Sequence, residues 1–245
     1  MSPTPWRLIP PIAAPGAVQM AIDTWLLDQH QHHGHPPTLR FYTWSPAAIS
    51  LGVSQRQQIP EHWRDLRWKD QPVDLVQRPT GGRGVLHQGD LTYSLVTSHL
   101  EGSRDQVYRA LCQFLIEGWD QLGIPLGFGG QQLNYTRTHN CFALATSADL
   151  VDGDGAKVIG SAQLRRGPYL LQHGSIVLKP SPDLWELVFQ TPPPAVNRAQ
   201  AAVNGGLTTD AIVAALARAA ATCFNGVLDS QPLTASEWAA IHALI

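Results

Sequence analysis

The eighteen residues from Gln77 to Ser94, QRPTGGRGVLHQGDLTYS, restrict what this chain can fold into more than any other stretch. Val73, Leu75 and Val76 precede them as a short apolar run that reads as strand, and strand alternation resumes at Leu91 to Val96. The Thr80-Gly81-Gly82-Arg83-Gly84 segment between them is therefore a turn joining two strands. Three glycines in four positions remove the Cβ atoms that keep other atoms away from a main chain, and they permit positive φ angles. Spacing alone fits a tight hairpin as well as a cradle for a ligand. It does not fit a nucleotide P-loop: the terminal Gly-Lys-Ser/Thr is missing, and Asp90-Leu91-Thr92-Tyr93-Ser94 reads as strand where a helix should open.

Around this stretch the pattern alternates between helix and strand. Ala17, Met20, Ala21, Thr24 and Leu27 recur at helical spacing, which predicts a helix as the first element. The tract that follows, Gln29 to Pro37, has four histidines in six positions, at His30, His32, His33 and His35. It is polar, ends in two prolines and has only Asp28 as an acidic neighbour, so it reads as a solvated loop in preference to a metal site. Leu39–Trp44 and Ala48–Val53 read as an antiparallel pair turned at Ser45-Pro46, and Ile59–Asp70 admits a short helix. Ser103-x-x-Gln106 is a capping box opening a helix whose stripe runs from Val107 to Leu122, with Gly123 ending it. From Gly129 to Leu150 the pattern is lost and loop is expected. Asp152-Gly153-Asp154-Gly155 and Arg165-Arg166-Gly167-Pro168 are turns of a three-stranded meander ending at Leu178. Along its middle strand, alternation puts Lys157, Ile159, Ser161 and Gln163 on one face. A short helix is expected at Asp183–Phe189, another capped by Thr208 and running to Phe224, and a last one opened by the capping box Thr234-x-x-Glu237.

A chain of 245 residues with 44% apolar content builds one sizeable core, so a single domain spanning 1–245 is expected. A formal charge of −2, without an arginine-rich helix or zinc-ligand spacing, gives no nucleic-acid footprint. No apolar stretch is long enough for a bilayer, and residues 1–6 lack the layout of a secretory signal, so no membrane partner and a cytoplasmic location are expected. Cys112, Cys141 and Cys223 are an odd number without repeat spacing, which suits a reducing compartment. Cys112 and Cys223 fall on or beside helical stripes and read as packing residues, whereas Cys141 lies in the patternless loop.

Three segments carry a family resemblance. Arg78-Pro-Thr-Gly-Gly-x-x-Val-Leu-His87, Lys157-x-x-Gly-Ser-Ala-Gln163 and Leu170-Leu-Gln-His-Gly-Ser-Ile176, with Leu39–Pro46 upstream, resemble the catalytic domain shared by lipoate-protein ligases, biotin-protein ligases and lipoyl-pathway octanoyltransferases. The likeness runs from about Trp6 to about Val227, with the catalytic core at 33–227, an N-terminal helix before it and a short helical tail after it. It implies an α+β fold, a mixed and largely antiparallel sheet flanked by helices, of the class II aminoacyl-tRNA synthetase and biotin-ligase type. Asn140-Cys141-Phe142 resembles the cysteine segment of the LipM-type octanoyltransferases, and Arg83, at the third glycine of the ligases' loop, is similar to the same branch. Gln77 replaces the first arginine of that loop, and the biotin ligases' GRGRxGR loop is missing.

The resemblance implies transfer of octanoate from octanoyl-acyl carrier protein to a lysine of a lipoyl domain, such as glycine cleavage H protein or a 2-oxoacid dehydrogenase E2. A thioester is already activated, so exchange onto a cysteine is near neutral and aminolysis is downhill, with no ATP and no cofactor. Cys141 is the implied nucleophile, dividing one transfer into two easier ones, and Lys157 the cation that favours its thiolate. Backbone N–H groups at Gly160, Ser161 and Ala162 are candidate donors to the tetrahedral intermediate. Arg78, Thr80, Gly81, Gly82, His87, His173 and Gly174 are the candidate pocket lining. Six methylenes in an apolar slot contribute on the order of 5 kcal/mol. His87 and His173 are expected to be neutral, hydrogen-bonded residues in preference to a catalytic base. The alternatives are an ATP-dependent lipoate-protein ligase, with Lys157 on the acyl-adenylate, and a non-catalytic carrier- or metal-binding protein. A monomer is expected.

Overall fold

The computed structural model describes residues 4–55, 59–130 and 148–245. Among these residues the main sheet has eight strands, in the order β13 (Gly226–Ser230), β1 (Thr4–Ala14), β2 (Thr38–Trp44), β8 (Asp90–Ser98), β12 (Tyr169–Val177), β11 (Lys157–Arg166), β10 (Leu150–Val151) and β9 (Gly127–Phe128). β1 runs parallel to β13 and β2, and every other neighbouring pair is antiparallel. The β10–β11–β12 meander expected from its two turns is present.

Strand alternation divides the residues of this sheet between two helical layers. Leu91, Tyr93 and Leu95 of β8 pack with Leu39 and Phe41 against α2 (Arg104–Asp120) and α5 (Thr209–Cys223). Val96 and Leu171 point the other way, into a cluster with Ile22, Trp25 and Leu26 of α1 (Gly16–His32) and Ile241 of α6 (Ala235–His242). The capping boxes at Ser103/Gln106 and Thr234/Glu237 open α2 and α6, and Thr208 caps α5. A second, three-stranded sheet orders β6 (Asp74–Gln77), β3 (Ala48–Leu51) and β7 (Val85–His87) and packs on α3 (Pro182–Phe189). α4 (Arg198–Asn204) completes the connection to α5.

Four expectations are corrected. The first described element is β1, not a helix. Pro10 and Pro11 sit where the β1–β2 register shifts, between Ile9 and Ile12, so the ladder tolerates residues that cannot donate to it. The histidine tract is not all loop, because α1 continues through His32; His30 is held by Ser98 Oγ and by the carbonyl of His35. β2 and β3 do not pair with each other: β2 joins the main sheet and β3 crosses to the small one, where β6 and β7 flank it. Between Ile59 and Asp70 only Glu61–Trp63 makes a helical turn, followed by the hairpin of β4 (Arg67–Trp68) and β5 (Gln71–Pro72).

Candidate active site

A cleft of about 500 Å³, counting its open mouth, lies between the two sheets on the α1 side of the main sheet. That is a size typical of small-molecule sites. Its apolar surface comes from Met20, Tyr42, Trp44, Val85 and Ala162, and its polar surface from Ser50, Thr92, Ser175 and two histidines.

The glycine loop forms one wall and is pinned by its own arginine. Arg78 is buried, and its guanidinium donates to Ser50 O and Oγ (2.7 and 3.2 Å), to Gly81 O through Nε and Nη2 (3.2 and 2.9 Å) and to Arg83 O (2.7 Å). These bonds direct the fork at the loop and at β3, so Arg78 shapes the wall from behind. The glycines permit a close approach, but to backbone: a Cβ on Gly52 would lie 2.1 Å from Gly82 O, and Gly82 itself has φ +97°. Nothing lies within 4 Å of a Cβ placed on Gly81.

Two parallel carboxylate–histidine–hydroxyl chains tie this wall to the sheet. His173 Nδ1 is 2.8 Å from Asp23 Oδ2, and its Nε2 is 2.7 Å from Thr80 Oγ1. His87 Nδ1 is 2.8 Å from Asp90 Oδ2, and its Nε2 is 2.8 Å from Ser50 Oγ. In each chain the carboxylate accepts from Nδ1–H, and Nε2 meets the hydroxyl. Burial pushes the His87 pKa down, outweighing Asp90. For Asp23, burial alone pushes the pKa up, but Arg40, bonded through Nε and Nη2 at 2.9 and 2.7 Å, and the His173 ring outweigh it and hold the carboxyl at about 2. Trp44 stacks on His87 with ring centroids 3.9 Å apart and donates to Thr92 Oγ1 at 2.8 Å.

Arg78, Gly81, Gly82, His87, Gly160, Ser161, Ala162, His173 and Gly174 all line this one cleft. Thr80 stands behind it, bonded to His173. The hydroxyl of Ser161 accepts from Tyr93 at 2.8 Å, and Gln163 donates to Gln172 at 2.6 Å, so the two side chains share the α2 face with Ile159. Lys157 does not continue that alternation, because the β10–β11 register shifts between Leu150 and Val151. Its Cε and Nζ instead lie 3.0 and 3.1 Å from where a Cβ on Gly160 would be, and Nζ pairs with Asp149 Oδ1 at 2.9 Å. Both side chains of this ion pair are nearly buried, at 5% and 7% exposure. Cys141 lies outside the described residues. The residues on either side of its segment lead into β9 and β10, which pair with each other beside the start of β11.

Comparison with known proteins matches residues 15–217 to the lipoyl protein ligase A/B catalytic domain family. The chain belongs to this family. Among curated relatives it is 36% identical over 198 residues to octanoyltransferase LipM of Geobacillus kaustophilus, covering 76% of this chain and 70% of that protein. It is 40% identical over 178 residues to octanoyltransferase LipM of Carboxydothermus hydrogenoformans (71% and 65%), and 35% identical over 184 residues to that of Bacillus subtilis (71% and 65%). The matched stretch thus spans about two thirds of these relatives' length. Among solved structures, a putative lipoate protein ligase from T. acidophilum with bound lipoic acid superposes with TM-score 0.75 at 20% identity, covering 98% of this chain and 94% of that one. A lipoate-protein ligase A bound with ATP superposes with TM-score 0.74 at 19% identity, covering 98% and 94%. These likenesses place the fold, an α+β catalytic domain of the lipoate-ligase type.

Asp23, Asp90, Ser50, Trp44 and Asp149 were not singled out from sequence. Each is a lone residue inside a helix, strand or turn pattern, and its partner is 17 or more residues away for Asp23, Ser50 and Trp44. Only His87 and Asp90, three apart, are a pair that local spacing offers. No group of three or more His, Cys, Asp or Glu side chains among the described residues is placed to hold a metal ion, and no helix among them is long and apolar enough to cross a membrane.

Proposed function

We propose that this chain transfers an octanoyl group from octanoyl-acyl carrier protein to a lysine of a lipoyl domain, through a thioester on Cys141 and without nucleotide. The observation that carries this reading is the shared identity of 35–40% with octanoyltransferases of the LipM type across most of the chain. The cleft supports it: apolar side chains offer a slot for a saturated chain, and the polar groups around them are already matched to one another, so an alkyl chain strips no partner from them.

The proposed first step is attack of the Cys141 thiolate on the donor thioester carbonyl, with the carrier thiol as leaving group. The second is attack of the acceptor amine on the new thioester, releasing the cysteine and forming the amide. Lys157 is the proposed cation beside the sulfur, and its fixed position against Gly160 sets it next to the strand segment whose N–H groups are the proposed oxyanion donors. In this scheme Asp149 holds Lys157 in place in the resting enzyme. In the same scheme His87 and His173 are posts that keep the glycine loop in register with the sheet; neither moves a proton.

A reconstituted assay with octanoyl-acyl carrier protein and an apo lipoyl domain, with and without ATP, tests the proposal. Equal octanoylation under both conditions supports it, and strict dependence on ATP would return the chain to the ligase chemistry.

A further inference from the structure

Away from the cleft, one charged side chain is left with its best donors unused. Arg165, near the end of β11, has Nε and Nη2 shielded from solvent and without a hydrogen-bond partner among the described residues. These two N–H groups lie on one edge of the guanidinium, the side-on fork that receives two oxygens of one anion. Arg198 uses the same pair on Asp154, at 2.8 and 2.9 Å. The neighbouring Arg166 is engaged with Asp28. A surface cleft of about 340 Å³ lies beside Arg165, walled by His99, Leu100, Pro168 and Tyr169, with no acidic side chain in its lining. A buried, unmatched cationic fork costs stability that an incoming anion relieves.

A second observation concerns the strand that leads from this arginine to the cleft. β10 pairs with β11 only at Lys157 and Ile159, so from Gly160 to Arg166 the outer edge of β11 has no strand partner among the described residues, and each of these residues is half-buried. An open strand edge offers backbone N–H and C=O groups to any extended chain that carries amides. From Arg165 back to Gly160, against which the Lys157 ammonium rests, is five residues, or about 16 Å of strand.

We propose that the outer edge of β11 is the track for the prosthetic arm of the acyl donor, with the arm's phosphate held by the Arg165 fork and its amides along the strand. The arm that carries an acyl thioester on a carrier protein has this chemistry: a phosphodiester at one end, two amides in the middle and the thioester at the other. The inference rests on the acyl-transfer reading above. The acceptor is a poorer fit, since a lysine reaches only as far as its own side chain and must dock at the cleft mouth itself.

The test is the rate of enzyme acylation by octanoyl-phosphopantetheine and by octanoyl-pantetheine, which lacks the phosphate, in the parent protein, Arg165→Gln and Arg165→Lys. KM for the phosphate-bearing donor is expected to rise roughly ten-fold or more in Arg165→Gln and less in Arg165→Lys, which keeps the charge without the fork. KM and kcat for the phosphate-free donor should stay at parent values in both, which also shows that the variants fold. An equal effect on both donors, or none on either, would overturn the inference. So would an effect seen only with the whole carrier protein, which would place a surface carboxylate of the carrier, not the arm, in the fork. Parent protein that takes octanoyl from the whole carrier protein but from neither small donor would overturn this inference alone, as would acylation whose KM is indifferent to Arg165, whereas parent protein that takes octanoyl from no donor, the carrier protein included, would overturn the acyl-transfer reading along with it.

Discussion

Replacing Lys157 by Met keeps most of the stem, deletes the charge and separates two consequences that the structure ties together. Lys157 Nζ lies 2.9 Å from Asp149 Oδ1 with both side chains nearly buried, so the variant removes the ammonium that faces a buried carboxylate. Breaking one side of such a pair costs about 3–5 kcal/mol. For a chain of this size each kcal/mol moves the melting temperature by about 2–4 °C, which gives a fall of roughly 6–20 °C. The double variant Lys157→Met/Asp149→Asn removes both charges and should recover most of that loss. Catalysis is expected to behave differently. If the ammonium favours the Cys141 thiolate, the thiol pKa rises toward or above its ordinary value of about 8.5 when the charge goes, and neither variant regains acylation. The assay pairs thermal unfolding with the pH dependence of iodoacetamide alkylation at Cys141, read by peptide mass. A melting temperature unchanged in Lys157→Met would refute the ion-pair argument. An alkylation pKa unchanged in the folded double variant would refute Lys157 as the activating cation and pass that role to His173 or to His139, two residues before the cysteine in sequence.

Further expectations rest on single features. Burial pushes the Cys112 thiol up to about 12, and burial with Glu117 does the same for Cys223, so iodoacetamide at pH 8 should leave both unmodified, and Cys112→Ala and Cys223→Ala should keep activity while Cys141→Ala loses it. Equal loss in all three folded variants would mean the nucleophile is misassigned. Gly52→Ala places a methyl group 2.1 Å from Gly82 O, so the glycine loop must shift; a loss of about 1–3 kcal/mol in urea unfolding and a raised KM for donor are expected, and a neutral substitution would sink the close-approach argument. Asp23 is held at about 2 in the folded state against an ordinary 3.8, so its contribution, on the order of 2 kcal/mol, is present above about pH 4 and lost as pH falls toward 2. His87 is held below its ordinary 6.5, so it too adds stability above that value that is lost as pH falls. The acid limb of a stability profile should flatten in Asp23→Asn, and an unchanged limb would contradict the assignment.

What was legible in the sequence is what local chemistry dictates. The capping boxes at Ser103 and Thr234 and the turns at Asp152–Gly155 and Arg165–Pro168 depend on residues within a few positions of each other, and all are where the pattern put them. The cleft residues were legible because a family motif holds them together, and the structure brings nine of them to one cleft. What was not legible depends on distance. Pro10 and Pro11 argue against an interior strand unless the register shift in β1 is known. Ser45-Pro46 signals a turn but not that the next strand crosses to another sheet. The Gly52–Gly82 approach and the Asp23–His173 bond join residues whose spacing carries no period at all. Lys157 was found by motif but misplaced by alternation, because a bulge in the partner register resets the count.

A covalent acyl-enzyme is detected by intact mass spectrometry after incubation with octanoyl-acyl carrier protein alone. The protein is expected to gain the mass of one octanoyl group without nucleotide, peptide mapping to place that group on Cys141, and added apo lipoyl domain to remove it. A protein that stays at its starting mass while still octanoylating the lipoyl domain, or that acquires the group on another residue, would contradict the thioester on Cys141.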